Sequence, residues 1–125
     1  MAPRSVLIVD DDEDILDIFE MTLLEGGYTV ETALTGAEAL AKAKDLKFDV
    51  AILDIVLPDL RGDKLALKLK KGNGDVNIIF VTGYANMQDC INSLNIGVSD
   101  ILLKPIGEEE LLQAVESALP VELVA

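Results

Sequence analysis

Val50-Ala51-Ile52-Leu53-Asp54-Ile55-Val56-Leu57-Pro58 is the stretch that decides how this chain folds. Four apolar residues in succession, closed by a carboxylate and soon broken by proline, read as a strand buried on both faces. A strand covered on one face only would alternate with polar residues. Strands buried on both faces belong to parallel sheets, and open parallel sheets bind ligands beyond the carboxyl ends of their strands. Asp54 stands at such an end. Three further runs have the same form: Val6-Leu7-Ile8-Val9 leads into Asp10, Asp11 and Asp12, Ile78-Ile79-Phe80-Val81 into Thr82, and Ile101-Leu102-Leu103 into Lys104. Carboxylates, a hydroxyl and an amine are therefore expected along one edge of one sheet.

Between the apolar runs the spacing turns helical. Ile15, Leu16, Phe19, Leu23 and Leu24 recur at helical intervals, Asp12 or a neighbouring acid can cap the helix they define, and Gly26-Gly27 stops it. Thr35 followed by Glu38 forms a capping box for a second helix. The pattern predicts strands over 5–9, 29–33, 50–53, 77–81 and 100–103, and helices over 13–25, 36–45, 64–71, 85–95 and 108–119. Pro58 and Gly62 break the chain before the third helix, Gly97 ends the fourth, and Pro120 ends the last. Strict alternation of strand and helix gives an α/β fold: a flavodoxin-like, doubly wound, five-stranded parallel sheet in the order 2-1-3-4-5 with five helices. In that order the first and third strands are neighbours at the switch point, which brings Asp10 and Asp11 beside Asp54.

Composition narrows the chemistry. With no histidine, Ser-His-Asp and Cys-His catalysis, His-ligated zinc and a phosphohistidine carrier are all excluded. The single cysteine, Cys90, cannot form an internal disulfide and reads as a small, half-buried helix residue. A formal net charge of −13 repels phosphate backbones, so direct nucleic-acid binding is not expected. No apolar run approaches the roughly 20 residues of a membrane span, and no signal-peptide core precedes the first strand, so the expected setting is cytoplasmic, off the membrane. Residues 1–125 read as a single domain.

Magnesium favours oxygen ligands and usually takes one or two carboxylates plus phosphate oxygens. Asp11 and Asp54 suit that role, with Asp10 behind them or acting through water. A carboxylate is also a nucleophile able to accept a phosphoryl group, and the charge on the equatorial phosphoryl oxygens could be met by magnesium, Lys104 and Thr82. Taken singly these residues have plainer readings: acids after a strand cap the next helix, a threonine there is structural, and a lysine before proline is solvated. Four such residues at four strand ends fit one reaction.

The segments V-L-I-V-D-D-D-E-D (6–14), D-V-A-I-L-D-I-V-L-P-D-L-R-G (49–62), I-I-F-V-T-G-Y-A (78–85) and L-L-K-P-I (102–106) resemble a response-regulator receiver domain of the chemotaxis-receiver kind, and the likeness runs from Val6 to Leu119. The resemblance implies a two-component signalling protein in which Asp54 is the phosphoacceptor. It implies that Asp10 and Asp11 form an acidic pocket for Mg2+, with Asp11 a direct ligand and the Val56 backbone carbonyl completing the protein's share. Thr82 would be the switch hydroxyl, Lys104 the phosphate-binding lysine, and the bond before Pro105 cis. A sensor histidine kinase or phosphotransfer protein would supply the phosphoryl group, and a switched face would meet a downstream protein target or output domain. Such a domain is a signalling phosphoacceptor rather than an enzyme, although it promotes its own Mg2+-dependent phosphorylation and dephosphorylation. No output domain is expected within these residues.

Two positions depart from the family pattern. Receivers usually carry Tyr or Phe three residues before the lysine, where this chain has Ile101. Transcription-factor receivers that dimerise through the last helix typically carry an arginine where this chain has Ala114. Two other readings compete. A flavodoxin-like cofactor binder needs a Ser/Thr/Gly-rich phosphate loop after the first strand, where Asp10-Asp11-Asp12-Glu13-Asp14 would repel phosphate. A phosphatase with an aspartate nucleophile wants a second acid two residues on, where this chain has Val56.

Overall fold

A computed structural model describes residues 3–84 and 97–119. Its strands are β1 (Ser5–Val9), β2 (Thr29–Ala33), β3 (Val50–Asp54), β4 (Asn77–Thr82) and β5 (Val98–Leu103). They pair in parallel in the order β2-β1-β3-β4-β5, as the alternation predicts. Four helices lie among the described residues: α1 (Glu13–Glu25), α2 (Gly36–Asp45), α3 (Gly62–Gly72) and α4 (Glu108–Ala118). The expectation of five helices is thus met by four here. The remaining helix expected over 85–95 lies outside the described residues, as do Cys90, Pro120 and the tail beyond it.

The apolar runs are continuous because their alternate residues serve two cores. Leu7, Val9, Leu53, Ile78 and Phe80 join Leu65 and Leu69 of α3 on one face of the sheet. Val6, Ile8, Ile52, Ile79 and Val81 join Leu16, Phe19 and Leu23 of α1 and Leu111 and Val115 of α4 on the other. Every residue of β3 is buried, whereas β2, at the sheet's edge, is mostly half-buried and carries Thr29, Glu31 and Thr32.

Local signals set the helix ends. The Asp12 carboxylate accepts hydrogen bonds from the N–H groups of Asp14 (2.9 Å) and Ile15 (3.4 Å), capping α1. Gly27, at φ +92°, turns the chain out of α1 through a conformation that favours glycine. At α2, Thr35 Oγ1 accepts from the Glu38 N–H at 3.1 Å, while the Glu38 carboxylate reaches Leu34 N at 3.3 Å, one residue short of the full box.

Several boundaries differ from the sequence reading. β3 and β4 each run one residue further and so include Asp54 and Thr82, because the parallel ladder continues through the pair Asp54–Val81 and on to Thr82–Leu103. β5 starts at Val98, with Ser99 accommodated by a register shift opposite Ile78 and Ile79. α3 starts at Gly62, which the sequence suggests as a breaker, and α4 ends at Ala118.

Candidate functional site

The acids, the hydroxyl and the amine gather where the sheet's carboxyl edge meets the loops. Register explains the gathering: Val9 pairs with Leu53 and Asp54 with Val81, so Asp10 lies alongside Asp54 on one side and Thr82 follows on the other. Asp10 (2 % exposed), Asp54 (6 %) and Thr82 (1 %) are buried, while Asp11 is exposed. Carboxylate oxygens of Asp10, Asp11 and Asp54 all lie within 4.8 Å of one another.

Lys104 reaches into this group from the end of β5. Its Nζ stands 2.9 Å from Asp10 Oδ2 and 3.0 Å from Asp54 Oδ2. The other oxygen of each acid is also held: Asp10 Oδ1 accepts from the Asp12 N–H and Asp54 Oδ1 from the Val56 N–H, both at 3.0 Å. Burial raises the Asp10 carboxyl above its usual range, and the hydrogen bonds from Lys104 and Asp12 offset this only in part. Burial alone would lower Lys104, but the hydrogen bonds and charges of Asp10 and Asp54 outweigh it and hold the ammonium above its usual value.

Thr82 Oγ1 accepts from the Tyr84 N–H at 3.0 Å, and the Thr82 carbonyl accepts the Lys104 N–H at 2.8 Å, which ties the β4 and β5 ends together. No side-chain hydrogen bond joins Thr82 to the acids among the described residues. The bond before Pro105 is cis. Ile101, at the position where receivers usually carry an aromatic, is half-buried and packs on the core beneath α2 and α3. Val56 and Tyr84 flank the site with exposed side chains.

Three carboxylates and one ammonium leave two negative charges in a space a few ångströms across. That surplus, presented by hard oxygen donors with Asp11 open to solvent, fits a divalent cation of the magnesium kind. Among the described residues, this is the only cluster of three or more such side chains close enough to hold a metal.

Two residues matter here in ways the linear pattern does not announce. Asp59, in the loop between β3 and α3, places its carboxylate on the N-terminus of α2 and accepts from Gly36 N and Ala37 N, each at 2.9 Å. Those bonds hold its carboxyl below the usual carboxylate value. Gly62 packs under the same loop and donates its N–H to the Ile55 carbonyl at 2.8 Å. A Cβ on Gly62 would collide with the Asp54 carbonyl oxygen and come within 2.8 Å of Ile55 Cα. The glycine was visible in the sequence, but its reason was not.

Residues 6–116 match the family described as the response regulator receiver domain. The chain is 36 % identical over 118 residues to the transcriptional regulatory protein PrrA of Mycobacterium leprae, covering 94 % of this chain and 50 % of that protein. It thus spans about half the length of that relative. Among solved structures, a CheY-like response regulator receiver domain protein from Methanospirillum hungatei superposes with a TM-score of 0.86 at 39 % identity, covering 92 % of each chain. The response regulator TrrA of Thermotoga maritima, solved in complex with Mg(2+)-BeF, gives a TM-score of 0.83 at 31 % identity, covering 93 % of this chain and 99 % of that one.

Proposed function

This chain belongs to the response regulator receiver domain family, the phosphoacceptors of two-component signalling, and from that premise we propose that Asp54 is the residue that takes the phosphoryl group. The observation that carries the reading is the position of β3. It lies between β1, which delivers Asp10 and Asp11, and β4, which delivers Thr82, while Lys104 bonds the Asp54 carboxylate directly. Asp54 is thus the acid with carboxylates on one side, a hydroxyl on the other and a cation in contact.

In the transfer, an Asp54 carboxylate oxygen attacks the donor's phosphorus, forming an O–P bond as the bond to the donor's leaving group breaks. The Val56 N–H keeps the carboxylate oriented. Lys104, freed from Asp54 Oδ2, turns its ammonium to a phosphoryl oxygen, and the Thr82 hydroxyl binds another. Asp11 and Asp54 would hold Mg2+, with Asp10 behind them and the Val56 carbonyl completing the set; the bound ion supplies positive charge against the phosphoryl oxygens. The protein thereby promotes its own phosphorylation and, with water as nucleophile, its own dephosphorylation.

The donor is a sensor histidine kinase or a phosphotransfer protein. Exposed Ile18, Met21 and Leu24 form an apolar stripe along α1, which starts at the site, and this stripe is the face we assign to the donor. The signal then passes to a downstream protein or output domain rather than directly to nucleic acid, which the net charge of −13 disfavours. Among the described residues no helix is long and apolar enough to cross a membrane, and we assign the protein to the cytoplasm.

The test is incubation with acetyl phosphate and Mg2+, followed by intact-mass measurement. The wild type should gain one phosphoryl group and Asp54→Ala none. A full-strength adduct on Asp54→Ala would remove the assignment.

A further inference from the structure

At the opposite end of the sheet from Asp54, α2 and α3 flank a half-open cavity of about 440 Å³. Leu7 and Ala51, both fully buried, lie at its base; Leu40, Phe48, Leu69 and Val76 form most of its apolar wall. That volume falls within the range of small-molecule pockets, about 300–1,000 Å³. The one amide in its lining is already used, since Asn73 Nδ2 donates to the Phe48 carbonyl at 3.0 Å. The interior therefore offers apolar surface and little else.

The charges around it are one-sided. Lys44 and Lys68 line the cavity, both are exposed, and neither makes an ion pair or hydrogen bond among the described residues. No Asp or Glu lines it. In a chain with 23 acids and 10 bases, the side chains of Lys44, Lys47, Lys64, Lys68, Lys70 and Lys71 make no ion pair among the described residues, and of these Lys44 and Lys68 line the cavity. An apolar slot edged by two unpaired lysines is complementary to a molecule with an apolar tail and an anionic head.

We propose that this cavity binds a single-chain amphiphile with a carboxylate head, its chain lying between α2 and α3 toward Leu7 and Ala51 and its head between Lys44 and Lys68. Size and charge favour a small molecule over the alternatives. A helix is about 10–12 Å across, so a cavity of this volume holds little more than one turn of it. A second copy of this chain would set one net charge of −13 against another over the two whole molecules.

The experiment titrates the intact chain with decanoate below its micelle concentration, followed by calorimetry and by NMR of the Leu, Val and Ala methyl groups. Decanol is the uncharged comparison. Saturable binding at one site per chain is expected, with shifts at Leu7, Leu40 and Val76. The Lys44→Glu, Lys68→Glu double variant changes only exposed side chains. It should weaken decanoate by about tenfold, the loss of one charge-assisted hydrogen bond, and leave decanol unchanged. Ala43→Phe, which fills the cavity, should abolish both. If decanoate fails to saturate, or binds the double variant as tightly as the wild type, the proposal is wrong. It is equally wrong if sedimentation finds the free protein dimeric through this face, with Ala43→Phe making it monomeric.

Discussion

Lys104 pairs with two buried carboxylates at once, and the consequences of removing it separate its structural role from its part in signalling. In Lys104→Ala, Asp10 and Asp54 remain buried beside each other with no side-chain cation. In the absence of divalent ions the variant should lose about 3 kcal/mol in urea unfolding, the lower end of the cost of breaking a buried ion pair. Mg2+ should narrow that gap, and the variant should bind Mg2+ at least as tightly as the wild type because a competing charge is gone. Equal stability of the two proteins without Mg2+ would mean that Lys104 does not hold this pair. Val56 and Tyr84 act at the same scale. Both are exposed beside the site, at 45 % and 57 %; valine offers no hydrogen bond to orient an attacking water, and tyrosine is bulky enough to shield the phosphoryl group. The phosphorylated protein should therefore lose its phosphoryl group slowly. A Val56→Asn, Tyr84→Ala double variant should lose it about tenfold faster, the equivalent of roughly 1.4 kcal/mol of oriented hydrogen bonding. Decay followed by intact mass decides this; an unchanged or slower rate means that these side chains do not gate the water.

Among the elements, the loop from β3 to α3 is held from both ends. Gly62 lets it pack directly on the backbone of Asp54 and Ile55, and Asp59 clasps it to the first turn of α2, where unpaired N–H groups and the helix dipole favour an anion. Because the clasp lowers the folded-state value of Asp59 below its ordinary 3.8, its stabilisation is fully present above 3.8 and is lost as pH falls through the lower, folded value. Thermal unfolding of the wild type and Asp59→Asn should therefore differ by a constant margin at neutral pH, and that margin should shrink below pH 3.8. A margin that persisted into strong acid would show that the carboxylate charge is not what ties the loop to α2. The loop also carries Val56, so the clasp bears on the surroundings of Asp54, the proposed phosphoacceptor, without touching it.

For the whole molecule, the decisive quantity is the concentration of charge at one edge of an aliphatic core. Mg2+ binding to the folded state should raise the thermal midpoint by mass action, and Asp11→Ala, which removes the exposed member of the cluster, should reduce that rise to a small remnant. Equal rises in both proteins would place the ion elsewhere. The core that carries this edge was readable residue by residue. Val6–Val9, Val50–Leu53 and Ile78–Val81 announce central strands because a parallel strand covered on both faces needs no polar alternation, and Asp12, Thr35 and Gly27 mark helix ends through bonds and torsions made within a few residues. From those local rules the sheet order and the neighbourhood of Asp10, Asp11, Asp54, Thr82 and Lys104 follow. Other features exist only once distant segments meet. These include the sharing of Lys104 between two acids, the hold of Asp59 on a helix more than 20 residues earlier, the fit of Gly62 beneath Asp54 and the cavity between α2 and α3. The strands, the caps and the side chains that reach the sheet's edge were legible in the residues alone, because periodicity and capping are local. The tertiary structure alone decided which charges pair, which backbone atoms come too close for a side chain and where two helices leave a space, because those depend on separations that no short stretch of chain encodes.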